Sequence, residues 1–244
     1  MPTLKKMLFN FVNAFLEPLG LRLERLRDDF KTFIPFETTL AEAARAGLSV
    51  GDYIDLRHNV PGATQDTVDQ MARLGVFDPA PKRICEIGPG SGRFMVKVIE
   101  RCHPEHYEFY ETAPKWREWL AQTYKAIAQP TDGMQLSATP DRSIDLVHTH
   151  KVLNGLKILN ILGYFAEMER VCKEHGWVVF DILTEDCLDE ETMQQWLSAG
   201  TDYITSMTNR QLAIDYFTRR GFTCAGSFFI TSVPGKTNYF VFKR

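Results

Sequence analysis

Ile84-Cys85-Glu86-Ile87-Gly88-Pro89-Gly90-Ser91-Gly92 is the stretch that decides the fold. A run of strand-forming residues, Arg83 to Ile87, meets three alternating glycines, and a helical pattern from Gly92 to Arg101 follows. Glycines let the backbone take up left-handed angles and come close to a ligand. The helix N-terminus then presents unpaired N–H groups to that ligand. Strand, glycine turn and helix together open a parallel α/β unit.

Outward from this turn the alternation continues. His106–Tyr110 reads as the second strand and Pro114–Tyr124 as its helix. Ala126–Gln129 is a weak third strand, and Pro130 puts it at a sheet margin. Ser143–His148 is the fourth strand, 155–173 a helix, Gly176–Ile182 the fifth strand and Asn209–Arg220 a late helix stopped by Gly221. Thr223–Thr231 and Thr237–Phe242 close the chain as an antiparallel pair around Val233-Pro234-Gly235-Lys236.

Upstream, residues 1–80 read as a helical extension and 81–244 as the main domain, with the hinge at Asp78-Pro79-Ala80-Pro81. Thr38–Ala46, with Thr39 as cap and Gly47 as stop, and Thr64–Leu74, ending at Gly75, are helical segments. Leu4, Met7, Leu8, Phe11, Val12, Phe15, Leu16 and Leu19 form one apolar stripe at helical spacing. Such a stripe docks on its own domain, on a second copy of the chain, or on a membrane surface helped by Lys5, Lys6, Arg22, Arg25 and Arg27. Asn10 and Asn13 break the apolar run, which argues against a signal peptide.

Composition narrows the class. The 244 residues are 44% hydrophobic and 24% charged, as in an ordinary globular protein. A net charge of -3 and a pI near 6.1 speak against a broad nucleic-acid-binding face. The five cysteines, at 85, 102, 172, 187 and 224, form no CxxC pair, so reduced thiols and a cytoplasmic location are expected, without a metal.

The acidic residues set the ligand. Arg93 fills the place where a dinucleotide fingerprint wants Gly or Ala. Glu86, at the strand end, would repel a pyrophosphate and suits a ligand carrying ammonium or sulfonium charge. S-adenosylmethionine carries both and has no phosphate. Glu111 closes the second strand, where a carboxylate accepts two ribose hydroxyls. Asp132-Gly133-Met134 follows the third, with an acceptor for the adenine amino group and an apolar side chain for its ring.

With these residues the chain resembles the Rossmann-like S-adenosylmethionine-dependent methyltransferases from about Lys82 to Arg244. The resemblance implies a doubly wound, seven-stranded, mostly parallel sheet of order 3-2-1-4-5-7-6 with an antiparallel last strand. It implies that Glu86, Gly88, Pro89, Gly90 and Gly92 hold the methionine part of the cofactor. Glu111 and Thr112 then hold the ribose, and Asp132, Gly133 and Met134 the adenine. His148-Thr149-His150 closes the fourth strand, which abuts the transferred methyl group in the family.

A hydroxyl acceptor needs a base, and histidine suits neutral pH. His150 is the first candidate and His148, which also borders the cofactor, the second; a purely structural role for both stands beside this. Lys151, Asn154 and His58 are candidates for acceptor contacts. In the lid segment 51–59, Tyr53 is placed to cover the cofactor and Arg57 to pair with its carboxylate; a capped helix end reads equally well. Leu183–Ser206, with Trp196, Tyr203 and Met207, is a second lid segment.

The DNA-amine signature Asp/Asn-Pro-Pro-Tyr is absent after the fourth strand, and Asp181 is followed by Ile182, not Asn as in metal-dependent catechol enzymes. A small molecule or glycan remains, methylated on oxygen. The short stretches Gly20-Leu21-Arg22-Leu23 and Tyr53–Thr64 resemble bacterial sugar O-methyltransferases. Methylation of an amine, NAD-dependent oxidation and a non-catalytic cofactor-binding role are the competing readings.

Overall fold

The computed structural model describes residues 11–14, 16, 18, 34–199, 206–232 and 235–244. The chain divides into two compact units, Met1–Phe33 and Ile34–Arg244. Of the first, Phe11–Ala14 is helical, and most of the apolar stripe lies outside the described residues.

Three helices precede the sheet in the second unit: α1 (Phe36–Ala46), α2 (Val50–His58) and α3 (Ala63–Arg73). Then come β1 (Arg83–Ile87), α4 (Arg93–Cys102), β2 (His106–Tyr110), α5 (Pro114–Tyr124), β3 (Ile127–Ala128) and β4 (Ile144–Thr149). The chain continues with α6 (Ile158–Val171), β5 (Cys172–Ile182), α7 (Glu190–Ala199), α8 (Arg210–Thr218), β6 (Thr223–Thr231) and β7 (Lys236–Lys243). The sheet runs β3-β2-β1-β4-β5-β7-β6, as expected. β7 is antiparallel to both β5 and β6, and the other pairings are parallel.

Several boundaries differ from the sequence reading. α1 starts at Phe36 with Pro35 as its N-cap, and Thr39 lies buried inside it instead of capping it. The helix expected over 155–173 is shorter, because Leu153–Gly155 forms a 3-10 turn and β5 already begins at Cys172. The 183–206 segment contains the unexpected helix α7, started by the Asp189 carboxylate accepting from the Thr192 N–H. Tyr203 and the Val233-Pro234 half of the last turn lie outside the described residues.

The sheet has two apolar faces. Cys85, Ile87, Val147, Phe180, Phe240 and Phe242 pack with α6 and α8 on one. Ile84, Phe109, Leu146, Val179, Tyr239 and Val241 pack on the other with Val68 and Met71 of α3 and Phe94, Met95 and Val98 of α4. α3 thus shares the sheet's own core, whereas Ala43 of α1 and Tyr53 and Ile54 of α2 form a separate small cluster; burial of the sheet faces is the main driving force for the fold. Among the described residues no helix is long and apolar enough to cross a membrane.

The glycine turn is fixed by sterics. Gly88, Gly90 and Gly92 have φ of 65°, 55° and 75°. A Cβ on Gly92 would stand 2.3 Å from Leu120 Cδ2, which is fully buried. Gly92→Ala therefore combines left-handed strain with a core clash and should cost roughly 1–3 kcal/mol. Denaturant unfolding checks this; a loss below about 0.5 kcal/mol would contradict it.

Candidate functional site

The carboxyl ends of β1, β2 and β4 meet around the glycine turn. Glu111, just past β2, holds that turn: its Oε2 accepts from Gly90 N at 2.8 Å and its Oε1 from Ala113 N at 2.7 Å. Among the described residues there is space above Gly90, since a Cβ there would meet nothing nearer than Ile34 Cδ1 at 4.0 Å. Burial raises the Glu111 carboxyl above its usual range, against the pull of the N–H groups of Ala113, Gly90 and Thr112.

Glu86 lies in β1, opposite Phe109 of β2 and His148 of β4. Its side chain is 1% exposed. Burial pushes its pKa up to about 8; the Tyr107 hydroxyl opposes this, Glu111 reinforces it, and Arg93 opposes it. Two carboxyls are thus buried close together, each raised chiefly by loss of water, with Arg93 acting on Glu86 and Arg117 on Glu111 from a distance. That donor set fits a positively charged, phosphate-free ligand.

From Glu86 a line of polar groups runs through the sheet face under α3 and α4. Tyr107 Oη lies 2.7 Å from Glu86 Oε2 and 3.0 Å from His148 Nε2. His148 Nδ1 lies 2.9 Å from His150 Nε2, and His150 Nδ1 lies 3.3 Å from Tyr239 Oη. Both histidines are buried, and the His150 ring stacks on Phe94 at 3.8 Å. Burial pushes His148 down to about 3 and His150 well below the usual range, so both rings are neutral. The ligating atoms of Glu86, His148 and His150 lie within 4.8 Å of one another. They are engaged by these hydrogen bonds, so we read the cluster as a polar network and not as an ion site.

Beyond β4, Asp181 of β5 organises the turn. Its Oδ1 accepts from Lys151 N at 2.7 Å, and its Oδ2 from Asn154 Nδ2 at 3.1 Å and Thr237 Oγ1 at 2.8 Å. Lys151 is held at φ 61°, a left-handed backbone for a residue with a side chain. Lys151 Nζ and Asn154 Oδ1 are buried without a hydrogen-bond partner among the described residues. Burial is the main force lowering the Lys151 ammonium to about 8.

α2 closes over the turn through Arg93, which pairs with Asp55 at 2.7 Å. Asp55 also accepts from Thr64 N and Thr64 Oγ1, joining α2 to α3. Gly51 permits this approach, since a Cβ there would stand 3.2 Å from Arg93 Cβ.

The remaining expected site residues are spread more widely. Thr112 borders Gly133, whose Cβ would meet Thr112 Cγ2 at 3.2 Å. Asp132 is exposed, and its Oδ1 accepts from Met134 N and Gln135 N, forming the turn that carries the half-exposed Met134. Pro89 is buried and accepts from Gly92 N. Tyr53 is buried in α2 and donates to Glu42, while Arg57 and His58 are exposed on the last turn of that helix. Tyr107, Tyr239, Asp55 and Asp181 are the site residues that sequence reasoning missed. Alternation gives one signal: Tyr107 on β2 shares a sheet face with Glu86 on β1.

The family described as "Methyltransferase domain" matches residues 56–225. Among solved structures, the N-methyltransferase NodS from Bradyrhizobium japonicum WM9, in complex with S-adenosyl-L-homocysteine, is similar at TM-score 0.59 and 18% identity, covering 86% of this chain and 97% of that one. An O-methyltransferase family protein from Burkholderia thailandensis gives 0.63 and 13%, covering 98% and 70%. Magnesium protoporphyrin IX methyltransferase from Synechocystis PCC 6803, with bound S-adenosylhomocysteine, gives 0.60 and 10%, covering 98% and 99%. At these identities the likeness is one of fold. No curated protein matches by sequence.

The raised Glu86 carboxyl has a stability consequence. Its neutral form is favoured by the fold, so its contribution is full below about pH 4.5 and is lost as pH rises to about 8. Glu86→Gln keeps an acceptor for Tyr107 and cannot ionise. The variant should therefore gain on the wild type in melting temperature between about pH 5 and pH 9. Parallel pH profiles of the two proteins would contradict the burial of an ionisable Glu86.

Proposed function

This chain belongs to the methyltransferase-domain family, and from that premise we propose that it methylates a hydroxyl of a small molecule or glycan, using S-adenosylmethionine. When bound, that cofactor supplies an activated methyl carbon on a sulfonium. Glu86 balances positive charge, and the Gly88–Gly92 turn offers backbone at close range. Glu111 and Thr112 receive the ribose; Asp132, Gly133 and Met134 receive the adenine. The single observation that carries the reading is the pair of buried carboxyls, Glu86 and Glu111, beside the glycine turn, neither of them in an ion pair among the described residues. A dinucleotide would bring phosphates to that place, and their negative charge would oppose ionisation of both carboxyls where a cation favours it.

The acceptor side is the turn after β4. Lys151 Nζ and Asn154 Oδ1 are buried and unpaired, and a buried polar atom without a partner costs about 1–3 kcal/mol, more when charged. An acceptor bearing hydroxyls, or an acidic group opposite Lys151, supplies those partners. His150, just past β4, is the base for the hydroxyl proton. A neutral amine needs no base to accept a methyl group, so the buried histidine pair favours oxygen as the methylated atom. We assign no role in binding to Arg57 or His58, which point to solvent on α2, and none in membrane or subunit contact to the N-terminal stripe.

Two measurements test this. Calorimetry with S-adenosylmethionine or S-adenosylhomocysteine should show binding, and NAD should give no heat; the reverse pattern would overturn the assignment. Lys151→Met should leave cofactor affinity within about threefold and thermal stability equal or higher, because an unpaired buried ammonium is removed. A large stability loss would show that Lys151 serves the fold and not the acceptor.

A further inference from the structure

The hydroxyl reading leaves a chemical problem. His150 and His148 are both held far below the range in which an imidazole keeps a proton at neutral pH. A base of that kind has to pass its proton on, and the geometry around it offers a route.

Tyr107, His148 and His150 each present one donor and one acceptor along the line from Glu86 to Tyr239. Such a line has two fully bonded arrangements. With Glu86 neutral, its carboxyl donates to Tyr107, whose hydroxyl donates to His148 Nε2. His148 Nδ1–H then donates to His150 Nε2, and His150 Nδ1–H to the Tyr239 oxygen. With Glu86 ionised, every bond reverses: Tyr239 donates to His150 Nδ1, His150 Nε2–H to His148 Nδ1, and His148 Nε2–H to Tyr107, which donates to the carboxylate. The two arrangements differ by one proton on Glu86 and by the tautomer of both rings.

We infer that Glu86, Tyr107, His148 and His150 form one proton relay, in which Glu86 is the final acceptor of the proton released by the methylated hydroxyl. This rests on the O-methylation proposed above. When the acceptor oxygen bonds the methyl carbon, its O–H bond breaks and the proton enters at the His150–Tyr239 end. One N–H forms at His150 Nδ1 as the Nε2–H proton moves to His148 Nδ1. The His148 Nε2–H proton moves to Tyr107, and the Tyr107 proton moves to Glu86, which becomes a neutral acid. No imidazolium has to persist. The two tyrosines stay neutral at both ends of the transfer, and Glu86 holds a proton more tightly than either imidazole, so the proton stays there. Tyr107 and His148 are positioning residues; neither needs to touch the acceptor.

Rigid neighbours keep the line in register. Glu86 and His148 are paired residues of β1 and β4, and Phe94 clamps the His150 ring from α4. The charged and titratable groups facing the line are Glu111 and Arg93 at the Glu86 end, Cys102 and Cys85 at Tyr107, Arg93 and Lys151 at His150, and Asp181, Arg93 and Asp55 at Tyr239. A cation bound against Glu86 favours its ionised form, in which His150 Nδ1 carries no proton and takes one once the Tyr239 hydroxyl turns to the acceptor.

Nitrogen-15 NMR of the histidine-labelled full chain reads the ring tautomers directly. In the free protein, raising the pH from about 6 to about 9.5 should switch both His148 and His150 from Nδ1–H to Nε2–H. Saturating S-adenosylmethionine at pH 7 should do the same and release about one proton, read by calorimetry in two buffers of different ionisation heat. In Tyr107→Phe the proton release should persist, while the rings no longer follow it. Rings that keep one tautomer throughout in the wild type, or that still switch in Tyr107→Phe, would overturn the relay. Absence of cofactor binding with an intact pH switch would instead sink the functional reading, and with it the relay's part in methyl transfer, while the coupled tautomer switch of the four residues would stand.

Discussion

Burial of two carboxyls at the ends of neighbouring strands, Glu86 and Glu111, governs the site. Each is almost fully withdrawn from water, and each has a proton affinity raised by that burial. They are handled differently. Glu111 is tied to the N–H groups of Gly90 and Ala113 and so holds the glycine turn in shape. Glu86 has a tyrosine hydroxyl and stays poised between neutral and charged. A bound cation resolves this tension by stabilising the ionised form of Glu86. The same logic disfavours phosphate at the helix N-terminus, where the bare geometry of a glycine turn would otherwise invite it.

The helices before the sheet complete this arrangement. α2 reaches the glycine turn through the Asp55–Arg93 pair, and Thr64 ties Asp55 to α3. Arg93, whose bulk breaks the dinucleotide pattern, is thereby a structural clamp next to Phe94, the ring that holds His150. On the other side Asp181 spends both oxygens on the turn after β4, fixing Lys151 in a left-handed backbone. The proposed cofactor pocket, base and acceptor turn would therefore share one set of buried polar anchors, which limits how independently they can change.

Local signals carried most of the fold into the sequence. The glycine turn, the strand–helix alternation and the antiparallel close all depend on short-range sterics and periodicity, and the order β3-β2-β1-β4-β5-β7-β6 follows the resemblance they support. Boundaries failed where local and tertiary demands compete: β5 extends back to Cys172 through residues that read as helix, and α7 lies in a stretch that read as a lid. Glu86, Glu111 and the histidines were legible because they sit at strand ends. Their partners were not: Tyr107 meets His148 across 41 residues and Tyr239 meets His150 across 89, pairings that only the assembled sheet creates. Tyr53 looked like a lid residue, but its hydroxyl is spent on Glu42 within the helical layer.

A crystal structure with S-adenosylhomocysteine tests the central claim most directly, because it locates the nucleoside relative to both carboxyls. The account predicts ribose hydroxyls within about 3.2 Å of Glu111 and the amino-acid end of the ligand beside Glu86, over the Gly88–Gly92 backbone. Density for the ligand away from these two side chains, or a phosphate-bearing ligand retained at the glycine turn in its place, would contradict it.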